Sequence, residues 1–479
     1  MRQLLAACLG LAALSLLLPS EPSYDPWAWI VWGREVALLN LDTTGGPSWK
    51  PLPVFFTALF GPLSKIDAGL PPDLWLVVAR AGGLLALAMA FRLARRLAGP
   101  ARRAGIAAGV MAAVAVGLTP LWLRFMAHGN EAPLAIGLML WGAERHLDGE
   151  RRHAVTLLFL ACLLRPEVFP FLCIYALWLG REEREHRVLL IGLAATLPAL
   201  WLVPEWLGSG DPLAAGSQAR SEPSWSLSLK ANPWLAALRR VHNIAGLPLE
   251  LGTLAAVSLA GLRRYRNGRD HPAAPADRAT LALAAIALLW VALVVAMVQA
   301  GFSGSPRYFL PAVVLGCVLA GAGAARLVHD LPGRMAGAAA AVALVLLAYP
   351  LAERRVDGLE RQGRKASRLA ALQEDLGAAV RDAGGARAVA ADGDPGINRM
   401  LFVTRLAWES KLPIRAVEVG EGLVFATNAR MSGRQASLSE AQFGAARRVA
   451  GAGAWRVLRF DGGRAEAPAQ SGRNVKITR

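Results

Sequence analysis

Apolar segments recur along the first three-quarters of the chain, separated by short polar loops. Several of them approach the ~20 residues that an α-helix needs to cross a hydrocarbon core of ~30 Å. The pattern therefore predicts an all-α polytopic membrane protein with about 11 transmembrane helices. The candidate spans cover residues 3–19, 73–91, 104–121, 132–147, 154–164, 167–180, 188–203, 245–262, 279–300, 308–327 and 334–351.

The pattern changes after residue 351, where the long apolar segments end. Residues 366–383 are rich in helix formers. Short apolar runs with the length of strands lie at 386–391, 423–426 and 455–460. We therefore expect two domains, a transmembrane domain at 1–351 and a small C-terminal α/β domain at 352–479.

Composition supports a membrane protein and excludes several other classes. A mean hydropathy of +0.38 and a hydrophobic content of 54% are too high for a chain of soluble domains. The net charge is +17, but most membrane-proximal arginines fall in short loops and no basic stripe interleaves with aromatic residues, so nucleic-acid binding is not expected. The four cysteines lie inside apolar segments without metal-ligand spacing, which argues against a disulfide framework.

The distribution of arginines also predicts the orientation of the chain. With the N-terminus in the cytoplasm, the basic loops lie inside. Residues 154–180 form either one long span kinked at Pro166 or two short spans that turn at 165–167. The hairpin keeps the downstream basic loops inside, so charge favours it. The segments expected outside are 20–72, 122–131, 165–167, 204–244 and 301–307, together with the C-terminal tail.

Charged and polar side chains collect in the loops expected on the outer face. A carboxylate there can accept the proton of an attacking hydroxyl group. Arginine and lysine can neutralise a phosphate leaving group, and arginine can bind it in a bidentate manner. The tryptophans of the first loop suit a membrane interface, where the ring is apolar and the N–H stays hydrated. The candidate residues are Asp25, Glu35, Lys50, Arg124, His128, Asn130, Glu131, Arg165, Glu167, Arg307 and Tyr308.

Each of these residues also has a purely structural interpretation. Asp25 precedes Pro26, so its carboxylate could cap a helix that begins at the proline as well as act as a base. Glu35 fits a solvated position on the same helix. His128 and Glu131 lie three residues apart, but two candidate ligands are too few to indicate a metal site. The arginines of these loops can serve as interface anchors instead of ligand-binding groups.

The order of these residues resembles that of the GT-C membrane glycosyltransferases, above all the bacterial relatives of protein O-mannosyltransferases and of lipid A aminoarabinose transferases. In that family an aspartate soon after the first span begins an aromatic-rich segment that ends near a glycine. A proline-rich motif, an arginine followed by an acid, a basic residue in a short turn and an Arg-Tyr pair then follow. The matching positions here are Asp25 to Gly33, Trp49-Lys50-Pro51-Leu52-Pro53, Arg124 and Glu131, Arg165, and Arg307-Tyr308.

The resemblance covers about residues 1–330 and implies an inverting glycosyltransferase. Such an enzyme moves a sugar from a polyprenyl-phosphate donor to an extracytoplasmic lipid, glycan or protein acceptor. It would be a multi-pass protein of the inner (plasma) membrane, in contact with membrane lipids, with its site and C-terminal domain outside the cytoplasm. The resemblance assigns Asp25 as the general base, Lys50, Arg165 and Arg307 to the donor phosphate, and Glu131 to the acceptor or sugar site. From their position in the outer loops, we also expect Tyr308 to contribute to the donor-phosphate site and Glu35, Arg124, His128, Asn130, Glu131 and Glu167 to bind substrate.

One departure from the family bears on cofactors. The family often has an adjacent acidic pair in the first loop, whereas Asp25 is followed by a proline. We therefore expect no obligatory metal or other cofactor.

A transporter or flippase of lipid-linked saccharides is the alternative function. It would predict internal repeats and broken helices near the bilayer midplane, and we find no such repeat. A non-catalytic scaffold would leave the charged first loop unexplained.

Overall fold

The chain folds into a mainly helical structure with one small sheet in its C-terminal region. The computed structural model describes residues 1–220, 225–267, 274–331, 333–419, 422–429 and 446–460. Each of the eleven predicted apolar segments coincides with a helix. The helices before the C-terminal region are α1 (Arg2–Leu14), α2 (Tyr24–Ala37), α3 (Pro51–Phe60), α4 (Leu70–Leu97), α5 (Arg102–Gly117), α6 (Trp122–Ala127), α7 (Ala132–Leu147), α8 (Arg151–Cys162), α9 (Phe169–Glu182), α10 (Arg187–Ser209), α11 (Ala214–Ala219), α12 (Pro233–Ala245), α13 (Leu247–Asn267), α14 (Ala274–Gln299) and α15 (Pro306–Asp330).

Among the described residues, five helices are individually long and apolar enough to cross a membrane. Four of them are α4, α10, α14 and α15, and the fifth is α16 (Arg334–Asp382). The helices α12 and α13 pass the same test together, but the pair bends by 91°. Other predicted spans, such as α7 and α8, are shorter helices of 16 and 12 residues. The chain is therefore an integral membrane protein with several helices that can cross the bilayer.

The membrane helices pack through small residues, with α15 largely buried among them. A Cβ atom at Gly321 of α15 would lie 2.6 Å from the carbonyl oxygen of Ala108 in α5. One at Gly323 would overlap the carbonyl oxygen of Gly252 in α13. Small residues commonly let membrane helices approach this closely. The packing fixes α15, whose N-terminal turn carries Arg307.

The helices α8 and α9 form the predicted hairpin. Arg151, at the start of α8, forms an ion pair with Glu183, directly after α9. Its guanidinium also lies 4.9 Å from the centre of the Trp178 ring. Between the helices the backbone of Arg165 is extended, and Pro166 then begins a short 3₁₀ turn. These contacts confirm the hairpin over the single kinked span.

The first loop folds into the protein instead of lying at the membrane surface. Trp27, Trp29 and Trp32 of α2 have no exposed surface. The indole N–H of Trp27 donates a hydrogen bond to Oε1 of Gln373 in α16 (2.5 Å), and that of Trp32 donates to the carbonyl oxygen of Asp42 (3.0 Å). The prediction of hydrated interfacial tryptophans is therefore wrong, because the C-terminal region packs over α2.

The C-terminal region begins with α16, which continues without a break through residue 352. The expected domain boundary thus falls inside a helix. Among the described residues, the elements that follow α16 are α17 (Gly385–Ala391), β1 (Gly396–Ile397), α18 (Val403–Ser410), α19 (Ile414–Val419), β2 (Val424–Thr427), β3 (Ala446–Ala450) and β4 (Trp455–Phe460). These four strands form a sheet in the order β1-β2-β4-β3, in which β1 and β2 are parallel and the other pairs antiparallel.

Two of the three predicted strands are confirmed as β2 and β4, and the helix predicted at 366–383 lies within α16. The strand predicted at 386–391 is wrong, since these residues belong to α17. Four of the six are alanines, and alanine has the strongest helix propensity. The parts of the expected C-terminal domain at 430–445 and 461–479 lie outside the described residues.

Candidate active site

Asp25 lies in the first turn of α2 and faces α15. The helix begins at Tyr24 with Ser23 as its N-cap, so Asp25 is not the capping residue and that interpretation is wrong. Its Oδ2 atom instead accepts a hydrogen bond from Nη1 of Arg307, at 2.5 Å. About a fifth of the Asp25 side chain and a quarter of the Arg307 side chain remain exposed. The pair is therefore accessible to a ligand.

Lys50 precedes α3 and is buried. Its backbone is extended, and Pro51 then begins the helix. The backbone N–H of Leu52 donates a hydrogen bond to the carbonyl oxygen of Leu163 (3.2 Å), which ties the start of α3 to the end of α8. The Lys50 ammonium forms an ion pair with Glu131 and lies 5.4 Å from the centre of the Trp29 ring.

Arg165 occupies the turn of the α8–α9 hairpin and has almost no exposed surface. Its Nη1 atom lies 3.2 Å from Oε1 of Glu131, and its Nη2 atom lies 3.0 Å from Oε1 of Glu167. The ring of Tyr308 lies between two arginines, with its centre 5.3 Å from the guanidinium carbon of Arg165 and 5.8 Å from that of Arg307. The hairpin turn and the first turn of α15 therefore meet at this aromatic ring.

We call these residues the ion cluster: Asp25, Lys50, Glu131, Arg165, Glu167 and Arg307. Its three acids and three bases balance in formal charge. Burial raises the pKa of the Glu131 carboxyl, but Lys50 and the two arginines outweigh that effect and hold the pKa at about 2. The buried Oε2 atoms of Glu131 and Glu167 have no hydrogen-bond partner among the described residues. The cluster thus holds several charged groups in a small volume, with Asp25 and Arg307 on its open side.

His128 and Asn130 closely precede Glu131 in the sequence, but their side chains contact backbone groups. Nδ1 of His128 lies 2.9 Å from the carbonyl oxygen of Glu21, and burial lowers the pKa of this histidine to about 4. Oδ1 of Asn130 accepts a hydrogen bond from the N–H of Ala132 (3.1 Å) at the start of α7. Both residues therefore hold the loop that carries Glu131.

Glu35 and Arg124 lie apart from the ion cluster. Oε2 of Glu35 accepts a hydrogen bond from the N–H of Asp42 (3.1 Å), and burial raises the pKa of Glu35 to about 7. The Arg124 side chain is exposed on α6. Within the described residues, the three side chains spaced to hold a metal ion are Glu183, Glu185 and His186, which lie at the opposite end of the α8–α9 hairpin.

The structure of the chain is similar to that of ArnT from Cupriavidus metallidurans. The apo structure of ArnT gives a TM-score of 0.54 at 15% sequence identity, and the alignment covers 95% of this chain and 97% of the other. The structure of ArnT bound to undecaprenyl phosphate gives 0.53 at 13% identity with the same coverage. This chain has the ArnT fold. No protein-family model and no curated protein sequence matches it.

Trp29 also belongs to the site, although it is not among the residues that the sequence predicts for it. Trp29 lies under the Lys50 ammonium and so forms one wall of the ion cluster. It follows Asp25 by four residues on α2, a spacing that places both side chains on one helix face. The same spacing can be read from the sequence, but a tryptophan close to a predicted span also fits a membrane interface.

Proposed function

We propose that the chain is an inverting GT-C glycosyltransferase that transfers a sugar from a polyprenyl-phosphate donor to a lipid, glycan or protein acceptor. One observation carries the proposal: Asp25 lies beside Arg307 at the open side of a cluster that also holds Lys50 and Arg165. A base and several phosphate-binding cations are thus close together. The ArnT fold adds support, because one ArnT structure contains undecaprenyl phosphate.

The proposed chemistry uses the two kinds of charge for different steps. Asp25 accepts the hydroxyl proton of the acceptor as the acceptor oxygen attacks the anomeric carbon of the sugar. The bond from that carbon to the phosphate oxygen breaks, and the electron pair leaves with the phosphate. Lys50, Arg165 and Arg307 stabilise the growing negative charge of the leaving group. Attack opposite to the leaving phosphate inverts the anomeric carbon.

Glu131 has a positioning role in this scheme. Because it stays ionised, it holds the Lys50 ammonium and one side of the Arg165 guanidinium in place. Glu167 holds the other side of Arg165. The phosphate-binding groups are therefore oriented before a donor arrives, which lowers the reorganisation needed during the reaction.

The proposed location is the inner membrane, with the ion cluster and the C-terminal region on the extracytoplasmic side. The arginine distribution supports this orientation, because the loops next to the ion cluster carry fewer basic residues than those at the opposite end of the helices. The α8–α9 hairpin is compatible with this orientation, since its turn at Arg165 lies at the opposite end of the two helices from Arg151 and Glu183.

The test is sugar transfer by purified protein from radiolabelled polyprenyl-phosphate sugars. Asp25→Asn keeps the side-chain shape but removes the base, so we expect transfer to fall by about 100-fold or more while the donor still binds. The control is Asp67→Asn, the same change on an exposed loop. Equal rates for wild type and Asp25→Asn would contradict the assignment. Movement of lipid-linked sugar across the membrane of vesicles that contain the protein, without sugar transfer to an acceptor, would instead support a flippase.

A further inference from the structure

Gln373 of α16 forms two hydrogen bonds, one to a residue before Asp25 in the sequence and one to a residue after it. Its Nε2 donates to the carbonyl oxygen of Pro22 (2.8 Å), and its Oε1 accepts from the indole N–H of Trp27 (2.5 Å). Gln373 is almost completely buried. The amide group of Gln373 thus supplies a donor at one position and an acceptor at the other. The residues three before and two after Asp25 are therefore both held by one side chain of the C-terminal region.

Glu418 of α19 joins the two segments that carry Asp25 and Lys50. Its Oε1 accepts hydrogen bonds from the hydroxyl of Tyr24 (3.2 Å) and from the backbone N–H of Gly46 (3.1 Å). Tyr24 directly precedes Asp25, and Gly46 lies in the loop that leads to Lys50. One carboxylate of the C-terminal region thus contacts both segments.

The loop before Lys50 approaches the C-terminal region too closely for a side chain. A Cβ atom at Gly45 would lie 2.7 Å from the backbone nitrogen of Arg415 in α19. Gly46 has a φ of +97°, which L residues other than glycine rarely adopt. The two glycines therefore allow a backbone contact that brings Gly46 within reach of Glu418.

Further hydrogen bonds join α2 to α18 and the residues that follow it. The Thr404 hydroxyl donates to the carbonyl oxygen of Tyr24 (3.0 Å), and Nη2 of Arg34 donates to that of Leu412 (2.9 Å). The guanidinium of Arg405 lies 4.3 Å from the centre of the Trp27 ring. The helix is therefore held along its length by the C-terminal region.

The ion cluster accordingly has two sources of support. Arg165 and Arg307 are positioned by the α8–α9 hairpin and by α15, both built from apolar helices. Asp25 and Lys50 sit on segments that the C-terminal region contacts. We propose that Gln373 and Glu418 are positioning residues for the transfer reaction. They keep Asp25 and Lys50 correctly placed relative to Arg165 and Arg307. This inference rests on the proposed function and makes the C-terminal region part of the catalytic apparatus.

The two residues should affect different kinetic constants. Both side-chain hydrogen bonds of Gln373 go to the Asp25 segment. Gln373→Met should therefore lower kcat about 10- to 100-fold and leave the KM for the donor unchanged. Glu418 contacts both segments, so Glu418→Leu should lower kcat and also raise the donor KM. Glu418→Gln retains an acceptor oxygen and should stay within about twofold of wild type in both constants.

Asp375→Asn is the matched control. Asp375 also lies on α16, but its carboxylate accepts a hydrogen bond from the backbone N–H of Ala454, which belongs to the C-terminal region itself. All rates are expressed per folded molecule in the full-length protein. A purely structural role would reduce the folded fraction and leave kcat and KM unchanged, as we expect for Asp375→Asn.

Amide hydrogen exchange gives a readout that does not depend on activity. In Gln373→Met we expect faster exchange at residues 24–28 and no change at 306–311 in α15. Absence of transfer by the wild-type protein would contradict the proposed function. An active wild type with the same kcat and the same exchange in Gln373→Met would instead overturn the positioning role alone, as would a Glu418→Gln variant as impaired as Glu418→Leu.

Discussion

The Nη1 atom of Arg307 lies 2.5 Å from Oδ2 of Asp25, although 282 positions separate the two residues. The contact joins the first turn of α2 to the first turn of α15. A donor phosphate bound by Arg307 would therefore lie beside the carboxylate that we assign as the base. Lys50 and Arg165 are more deeply buried than this pair. A phosphate that also contacts them would therefore lie deeper in the ion cluster than Asp25, which stays on its open side.

Arg165→Lys should weaken donor binding although it conserves the charge. The two Nη atoms of Arg165 contact Glu131 and Glu167 separately, and a single ammonium group cannot span both acids. We expect the donor KM to rise about 10-fold, corresponding to about 1.4 kcal/mol. Arg124→Lys is the control, since Arg124 is exposed and outside the ion cluster. Steady-state kinetics with varied donor would show the difference, and an unchanged KM in Arg165→Lys would contradict it.

Substitutions of Lys50 and Glu131 should have strongly coupled effects on the stability of the folded protein. Removing one partner leaves the other charge buried without compensation, which typically destabilises a protein by about 3–5 kcal/mol. We expect Lys50→Met and Glu131→Leu each to lower the unfolding temperature in detergent and the double variant to lower it by less than their sum. Lys65→Met, at an exposed position, serves as the control. Additive effects would show that the ion pair is energetically unimportant.

Glu35 should make the protein less stable as the pH rises. Burial raises the pKa of this carboxyl from 4.5 to about 7, so the folded state holds the proton more tightly than the unfolded state. Folding stability then falls between about pH 4.5 and pH 7, by roughly 3 kcal/mol at most. Glu35→Gln lacks the titrating group and should show a flatter pH dependence of Tm. Parallel curves for the two proteins would contradict a buried, neutral Glu35.

If the α8–α9 hairpin crosses the membrane, we expect two exposed positions to lie on opposite sides of it. Leu39 follows α2 on the side of the ion cluster, and Glu185 lies beyond α9 at the other end of the hairpin. In a protein without native cysteines, we expect Leu39→Cys and Glu185→Cys to react with a membrane-impermeant thiol reagent from opposite sides. Labelling of both from the same side would contradict the topology.

Local patterns in the sequence predicted much of the membrane region. Apolar runs are a local property, and each became a helix. The hairpin at Arg165 was also predictable, because charge distinguishes one side of the membrane from the other. The prediction of a strand at 386–391 was wrong because its alanines favour a helix. The prediction of hydrated tryptophans on α2 was wrong because residues of α16 and α18, which are distant in the sequence, cover them.

The sequence indicated the members of the ion cluster more readily than their contacts. Asp25, Lys50, Arg165 and Arg307 are charged residues in loops on the side that has few basic residues. Which acid contacts which base depends on how α3, the hairpin and α15 pack, and no local pattern carries that information. No local pattern indicated that His128 would contact the backbone of Glu21 and Asn130 that of Ala132.

An experimental structure of the protein with undecaprenyl phosphate would test the phosphate assignment most directly. We expect phosphate oxygens within hydrogen-bond distance, about 3.2 Å or less, of at least two of Lys50, Arg165 and Arg307. We also expect the Asp25 carboxylate to face the same cavity. A phosphate bound elsewhere, with the ion pairs of these three residues unchanged, would contradict the proposed donor site.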